Sequence, residues 1–273
     1  MLSRGVSQQG PYFGEAGGVR CGPAYSGRNI MRIWVTRPEQ DAAVLRARLV
    51  AQGHEVVVEP LLLIDFEEAD PIELDDVQAL IATSRNGVRA AAESPEADYM
   101  RQLPIFAVGP GTASTAEALG FVRIIRGSST ASVLLDRIVD RVNVNDGALL
   151  HLAGGNLAFD LASELTALGY HVLQPTVYIA RKATHLSTKL LTRIAAGEVD
   201  GVILLSPRTA QTYVSLIRAH QITRSASRLQ HFCLSRAVAD QLEPIQPVVT
   251  KVASQPNLKE LLGLTEQDIA SSK

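Results

Sequence analysis

The chain has 273 residues, 46% of them hydrophobic and 20% charged, with a net charge of −2 at neutral pH. This composition excludes a disordered or fibrous protein, and the charge excludes a generally basic nucleic-acid binder, which needs a clustered excess of Lys and Arg. No apolar run approaches the roughly 18 residues that a membrane-spanning helix requires. The length suits two units of about 100–130 residues each. Aromatic residues are only 5%, so the core must be built from Leu, Val, Ile and Ala, as in buried parallel strands covered by helices. Two cysteines, Cys21 and Cys233, without a Cys-x-x-Cys motif, point to a reducing compartment and no disulfide framework. The expected setting is cytoplasmic.

Residues 1–30 carry seven Gly and two Pro and show no apolar periodicity. They read as a disordered leader or a mis-called start, and lack the apolar stretch of a secretory signal. From Met31 the chain alternates strand and helix signals. Ile33–Thr36 reads as a strand, and Pro38 suits a helix first turn. Ala42, Leu45 and Leu49 share one helical face before Gly53, a natural C-terminal cap, and Val56–Val58 is the next strand. A strand at Ala79–Ala82, a helix over about 86–92, a strand at Ile105–Val108 and a helix ending at Gly120 follow. This βα alternation predicts parallel sheets with helices on both faces.

The chain also matches itself. Leu45, Leu49, Gly53 and Val56 recur 116 positions later as Leu161, Leu165, Gly169 and Val172, and each run leads into a proline, Pro60 or Pro175. Ile81-Ala82-Thr83-Ser84 is echoed by Ile203-Leu204-Leu205-Ser206, and Phe106-Ala107-Val108-Gly109 by Phe232-Cys233-Leu234-Ser235. The preserved order predicts two similar lobes with a cleft between them.

Ligands of open parallel sheets bind beyond the carboxyl ends of the strands. The segments Thr83–Val88 and Gly109–Ala113 leave strands and enter helices, as do Ser206–Thr209 and Ser235–Val238 in the second copy. Small residues, hydroxyls and helix-start N–H groups suit anions, so four such starts would suit a ligand bearing several carboxylates. Each Ser or Thr alone reads equally as a helix N-cap. Gly109-Pro110-Gly111 fails as a dinucleotide fingerprint, because Ser114 holds the third glycine position. The six histidines show no metal-ligand spacing, so no metal site is expected. His54 and His171, beside the capping glycines, are expected to be exposed.

Taken in order, Thr36-Arg37-Pro38, the Thr83–Val88 loop, Ala107-Val108-Gly109 through Thr112-Ala113, and the strand ending Val177-Tyr178 resemble the uroporphyrinogen-III synthase family, from Met31 to about Leu262. The resemblance implies an α/β fold of two Rossmann-like lobes joined by a pair of extended linkers. Lobe 1 would combine residues 31–63 with 181–273, lobe 2 would span 68–175, and the linkers would lie near 64–67 and 176–180. It further implies a cofactor-independent cyclisation of hydroxymethylbilane, a linear tetrapyrrole with eight carboxylates, to uroporphyrinogen III with ring D inverted. Tyr178 would assist loss of the hydroxyl, with a packed linker tyrosine as its competing role. Arg37, Thr83, Ser84, Asn86, Gly109, Thr112, Ser206 and Arg208 would hold the substrate. Leu234-Ser235-Arg236-Ala237-Val238 departs from the family pattern, since Val238 keeps the shape of Thr without its hydroxyl. The loop Gly154–Phe159 also lacks a basic residue often found there.

The expected partners are the substrate and, transiently, the preceding pathway enzyme, with no nucleic acid or membrane, in a monomer. The rivals are a two-lobed binding or sensor protein that lost catalysis, a nicotinamide oxidoreductase and a periplasmic binding protein. Turnover separates the first from an enzyme.

Overall fold

A computed structural model describes residues 30–67, 73–127, 130–157 and 159–266. Residues 1–29 of the expected leader (residues 1–30), Cys21 among them, and Ala158 lie outside these ranges. The chain opens with β1 (Arg32–Val35), α1 (Glu39–Ala51), β2 (Glu55–Val58) and β3 (Leu62–Phe66). It continues through β4 (Val77–Ala82), α2 (Arg85–Glu93), α3 (Ala97–Met100), β5 (Pro104–Ala107), α4 (Pro110–Ala118), β6 (Arg123–Arg126) and α5 (Ala131–Val139). Next come β7 (Ala148–His151), β8 (Ala153–Gly154), α6 (Leu161–Ala167), β9 (Val172–Leu173), β10 (Thr176–Lys182) and α7 (Thr188–Ala195). The last part holds β11 (Gly201–Leu204), α8 (Pro207–Ala219), α9 (Thr223–Ala226), β12 (Gln230–Cys233), α10 (Arg236–Ala239), a 3-10 turn (Asp240–Ile245), β13 (Val249–Val252) and α11 (Leu258–Glu266).

Two five-stranded sheets, each parallel throughout, form the two lobes. The first runs β13-β12-β11-β1-β2 and the second β6-β5-β4-β7-β9. Position by position the two orders correspond, so that β1–α1–β2 matches β7–α6–β9 and β11–β12–β13 matches β4–β5–β6. The duplication read from residue spacing is therefore present in the topology. Leu45, Leu49, Leu161 and Leu165 are all buried. The glycines that follow, Gly53 and Gly169, both have φ near 93°, and an added Cβ at either would touch nothing within 4 Å. Backbone conformation, not space, demands glycine at these two helix ends.

Each sheet is covered on both faces. In the first, Trp34, Val202 and Leu204 pack with α7 and α8, while Ile33, Val35 and Ile203 pack with α1 and α11. In the second, Leu80, Ile105 and Leu150 pack with α2 and α4, while Ile81, Phe106 and Leu149 pack with α5 and α6. Alternate residues of each strand thus feed opposite layers, which is why these strands read as continuous apolar runs.

The stretches expected as extended linkers fall on β3 and β10, which are hydrogen-bonded strands. β3 and β10 pair antiparallel from Phe66 opposite Tyr178 to Leu62 opposite Lys182, and β8 joins β10 in parallel. In this three-stranded ribbon, β3 and β10 lie in sequence between the strands of the two sheets, whereas β8 follows β7 within the second. The expected exposure of His54 is corrected: it is 7% exposed, and its Nδ1 accepts from the Met31 N–H at 3.3 Å. Its position against the start of β1 buries it, whereas His171 is exposed as expected.

Candidate active site

The carboxyl ends of the strands in both sheets meet the ribbon around a cleft of about 400 Å³. From the first sheet come Thr36 and Arg37 after β1, Asp41 on α1, Ser206 and Arg208 at the start of α8, and Leu234 after β12. The second lobe supplies Asn86, Gly155 and Asn156, and the ribbon supplies Leu62, Ile64, Tyr178 and Ala180. Such a crevice at strand ends is where open α/β sheets bind ligands.

Five residues singled out from the sequence line this cleft together: Arg37, Asn86, Tyr178, Ser206 and Arg208. The other four, Thr83, Ser84, Gly109 and Thr112, are not part of its lining. Thr83 is bound to His151 Nε2 at 3.1 Å, and His151 Nδ1 meets Gln174 Oε1 at 2.8 Å. Since a carbonyl oxygen only accepts, Nδ1 carries the proton, Nε2 accepts, and the Thr83 hydroxyl donates to it. That proton is then committed inside the protein. Burial also holds the His151 pKa below the ordinary histidine value, which keeps Nε2 an acceptor. Ser84 Oγ accepts from the Asn86 N–H at 3.1 Å and so caps α2. Gly109 is the N-cap of α4, and Thr112 is buried on that helix.

In the second copy, Ser206 Oγ accepts from the Thr209 N–H at 3.1 Å, capping α8. Arg208 donates to the Ala180 carbonyl, tying α8 to the ribbon. Tyr178 is fixed by a close approach. A Cβ at Gly154 would stand 2.5 Å from its Cζ and 2.6 Å from its hydroxyl oxygen, so the ring lies against bare backbone.

Charge is unevenly distributed here. Asp41 Oδ1 accepts from Arg89 at 2.7 Å and from Arg85 at 3.2 Å, while Arg37 approaches Oδ2 at 3.8 Å. Arg89 also donates to Asn86 Oδ1 at 2.7 Å. Burial pushes the Asp41 carboxyl up, but the hydrogen bond and charge of Arg89, with the charges of Arg37 and Arg85, outweigh it and hold it below the usual value. Arg85 in turn lies over Gly111 in the first turn of α4, where a Cβ would come within 2.5 Å of its Nη2. Three guanidinium groups thus stand around one carboxylate, and Arg208 lines the same cleft. Helices α2, α4 and α8 add the positive ends of their dipoles. The arrangement favours an anionic ligand with several separated charges.

The sequence model of the family described as uroporphyrinogen-III synthase HemD matches residues 43–263. The chain belongs to this family. Among solved structures, uroporphyrinogen-III synthetase from Helicobacter pylori matches at 18% identity, covering 86% of this chain and 98% of that one, with a TM-score of 0.57. A mutant uroporphyrinogen III synthase from the extremely thermophilic bacterium Thermus thermophilus matches at 16% identity over 86% and 95%, with a TM-score of 0.48. The Helicobacter structure shows the same two-lobed fold. As a uroporphyrinogen-III synthase, the protein is a cyclising lyase that closes hydroxymethylbilane to uroporphyrinogen III in tetrapyrrole biosynthesis. No helix among the described residues is long and apolar enough to cross a membrane.

Sequence reading missed the ion-pair cluster that reaches the cleft through Asp41: Asp41, Arg85 and Arg89. Two local signals were available. Arg37 and Asp41 are four apart across the start of α1, and Arg85 and Arg89, also four apart, share one edge of α2. The facing of Asp41 on Arg89, across 48 positions, had no local signal. Gly154, the seat of Tyr178, was noted only as part of a loop lacking a basic residue.

Proposed function

We propose that the interlobe cleft is where this uroporphyrinogen-III synthase folds and closes hydroxymethylbilane. The observation that supports this most is the excess of arginine: three guanidinium groups on the single carboxylate of Asp41, with Arg208 also lining the cleft, suited to a substrate with eight carboxylates. Arg37 and Arg208 take acetate or propionate groups by charge-assisted hydrogen bonds, and Asn86 and Ser206 add neutral donors beside them. Thr83, Ser84, Gly109 and Thr112 act through the helix starts that they shape. Tyr178 donates its phenolic proton to the departing hydroxyl, which leaves as water. The proton released when the closing pyrrole regains aromaticity restores the phenol, so the step is balanced without a cofactor. The remaining demand is geometric, since free azafulvene closes without inversion and the cleft must hold the chain in the other arrangement.

The same reading divides the chain into a unit of residues 31–63 with 181–273 and a unit of residues 68–175, acting as a cytoplasmic monomer in transient contact with the preceding enzyme. Sedimentation at assay concentration checks the monomer. The site is tested by Arg37→Gln. Loss of one partly buried charge-assisted contact should raise KM about three- to tenfold with a smaller change in kcat. Unchanged KM would remove Arg37 from substrate binding.

A further inference from the structure

We propose that Asp41 is a positioning residue that stands in for a substrate carboxylate, holding Arg85 and Arg89 across the cleft until the substrate takes them over. Asp41 belongs to α1 beside the first sheet, while both arginines belong to α2 beside the second, so these contacts bridge the lobes. Its Asp41–Arg89 half is well shielded, with the side chain of Asp41 11% exposed and that of Arg89 14%, while Arg85 is 37% exposed.

Two features distinguish it from an ordinary structural ion pair. First, it is unbalanced. Three arginines converge on one carboxylate, and the two short contacts share a single oxygen, Oδ1, while Oδ2 has only Arg37 at 3.8 Å. None of the three arginines has the two-oxygen seat that a guanidinium accepts best, and two positive charges remain uncompensated. An arriving carboxylate can offer both of its oxygens and supply the missing charge. Second, the bridge is not part of the duplicated scaffold. At the offset of 116 that relates Leu45 to Leu161, Asp41 corresponds to Leu157, which is 41% exposed and apolar. The carboxylate was placed in one copy only, where it faces arginines of the other.

A stand-in is expelled by the ligand it imitates, so removing its charge should favour that ligand. Asp41→Asn keeps shape and removes charge. It should lower KM for hydroxymethylbilane, and the inhibition constant of uroporphyrinogen III, each by about three- to tenfold. The double variant with Arg89→Gln should cancel that gain. A merely structural role would leave KM unchanged or raise it, and KM at or above the wild-type value overturns the proposal.

The wild-type protein offers a test independent of folding: a crystal structure with uroporphyrin III, the oxidised product. A carboxylate of the ligand on Arg85 or Arg89, with Asp41 withdrawn, supports the proposal. This inference rests on the substrate occupying the cleft, and the two fail differently. Ligand in the cleft with the Asp41–Arg89 contact intact overturns the stand-in alone, and ligand bound elsewhere overturns both.

Discussion

The two sheets share a strand order, yet their helix starts differ in what they can do. Ser84 and Ser206 occupy equivalent places and both cap their helices, Ser84 through the N–H two residues on and Ser206 through the N–H three residues on. At the next pair the copies part. Gly109 opens the nine-residue α4, whereas Ser235 opens the four-residue α10 and makes no side-chain cap. Arg236 is exposed and pairs with Asp240, outside the cleft lining. Thr112 and its counterpart Val238 are both buried, so the missing hydroxyl at Val238 is lost from a packed position. The strand order is common to both copies, whereas Asp41, Arg85, Arg89 and Arg208 have Leu157, Pro207, Gln211 and Asn86 as counterparts and so belong to one copy each.

The largest expected effect breaks the symmetry at the ribbon. Tyr178→Phe should slow turnover at least several-fold, and by as much as the about 10²–10⁴-fold that a positioned acid contributes, while circular dichroism stays unchanged. Gly154→Ala should reproduce that loss, because the new methyl group occupies the place of the ring. Normal kinetics in both variants would leave Tyr178 a packing residue.

Acid should separate the lobes next. His231 is buried in the first lobe between Tyr213, at 2.8 Å, and the Val249 carbonyl. Its equivalent in the second lobe is Ile105. Burial lowers the His231 pKa to about 4, so the folded state resists a proton that the unfolded chain accepts near 6.5. The associated stability is present above about pH 6.5 and is lost as pH falls toward 4, a contribution of about 3 kcal/mol. His54 and His151, also lowered by burial, add to the same trend. Thermal melts from pH 7.5 to 5 should show falling stability, with a shallower slope in His231→Leu. An equal slope in both proteins would contradict this assignment.

The smallest effects test the caps. Ser84→Ala and Ser206→Ala should each cost about 1 kcal/mol, and Ser235→Ala no more than about 0.5 kcal/mol, by chemical denaturation. Equal losses at all three positions would show that the capping geometry does not distinguish the copies.

The sheet-forming units were legible because apolar periodicity and the paired glycines Gly53 and Gly169 are local signals of local structure. The pairing of β3 with β10 was not, because Leu62–Phe66 shows no strict alternation and its partner lies more than 100 positions away. Burial of His54 was hidden for a similar reason, since it depends on the packing of a loop against β1. In the site, the strand-end motifs indicated where to look and named five of the cleft residues. The arginine cluster around Asp41 stayed hidden because each ion pair across the lobes exists only after both have folded.

The most direct test of the central claim is an isomer-resolved assay supplied with freshly generated hydroxymethylbilane, with type I and type III products oxidised and separated chromatographically. The cleft described above predicts enzyme-dependent type III from the wild-type protein, and from Tyr178→Phe a slower rate with a rising share of type I. Type I alone at the spontaneous rate from the wild-type protein would contradict the account.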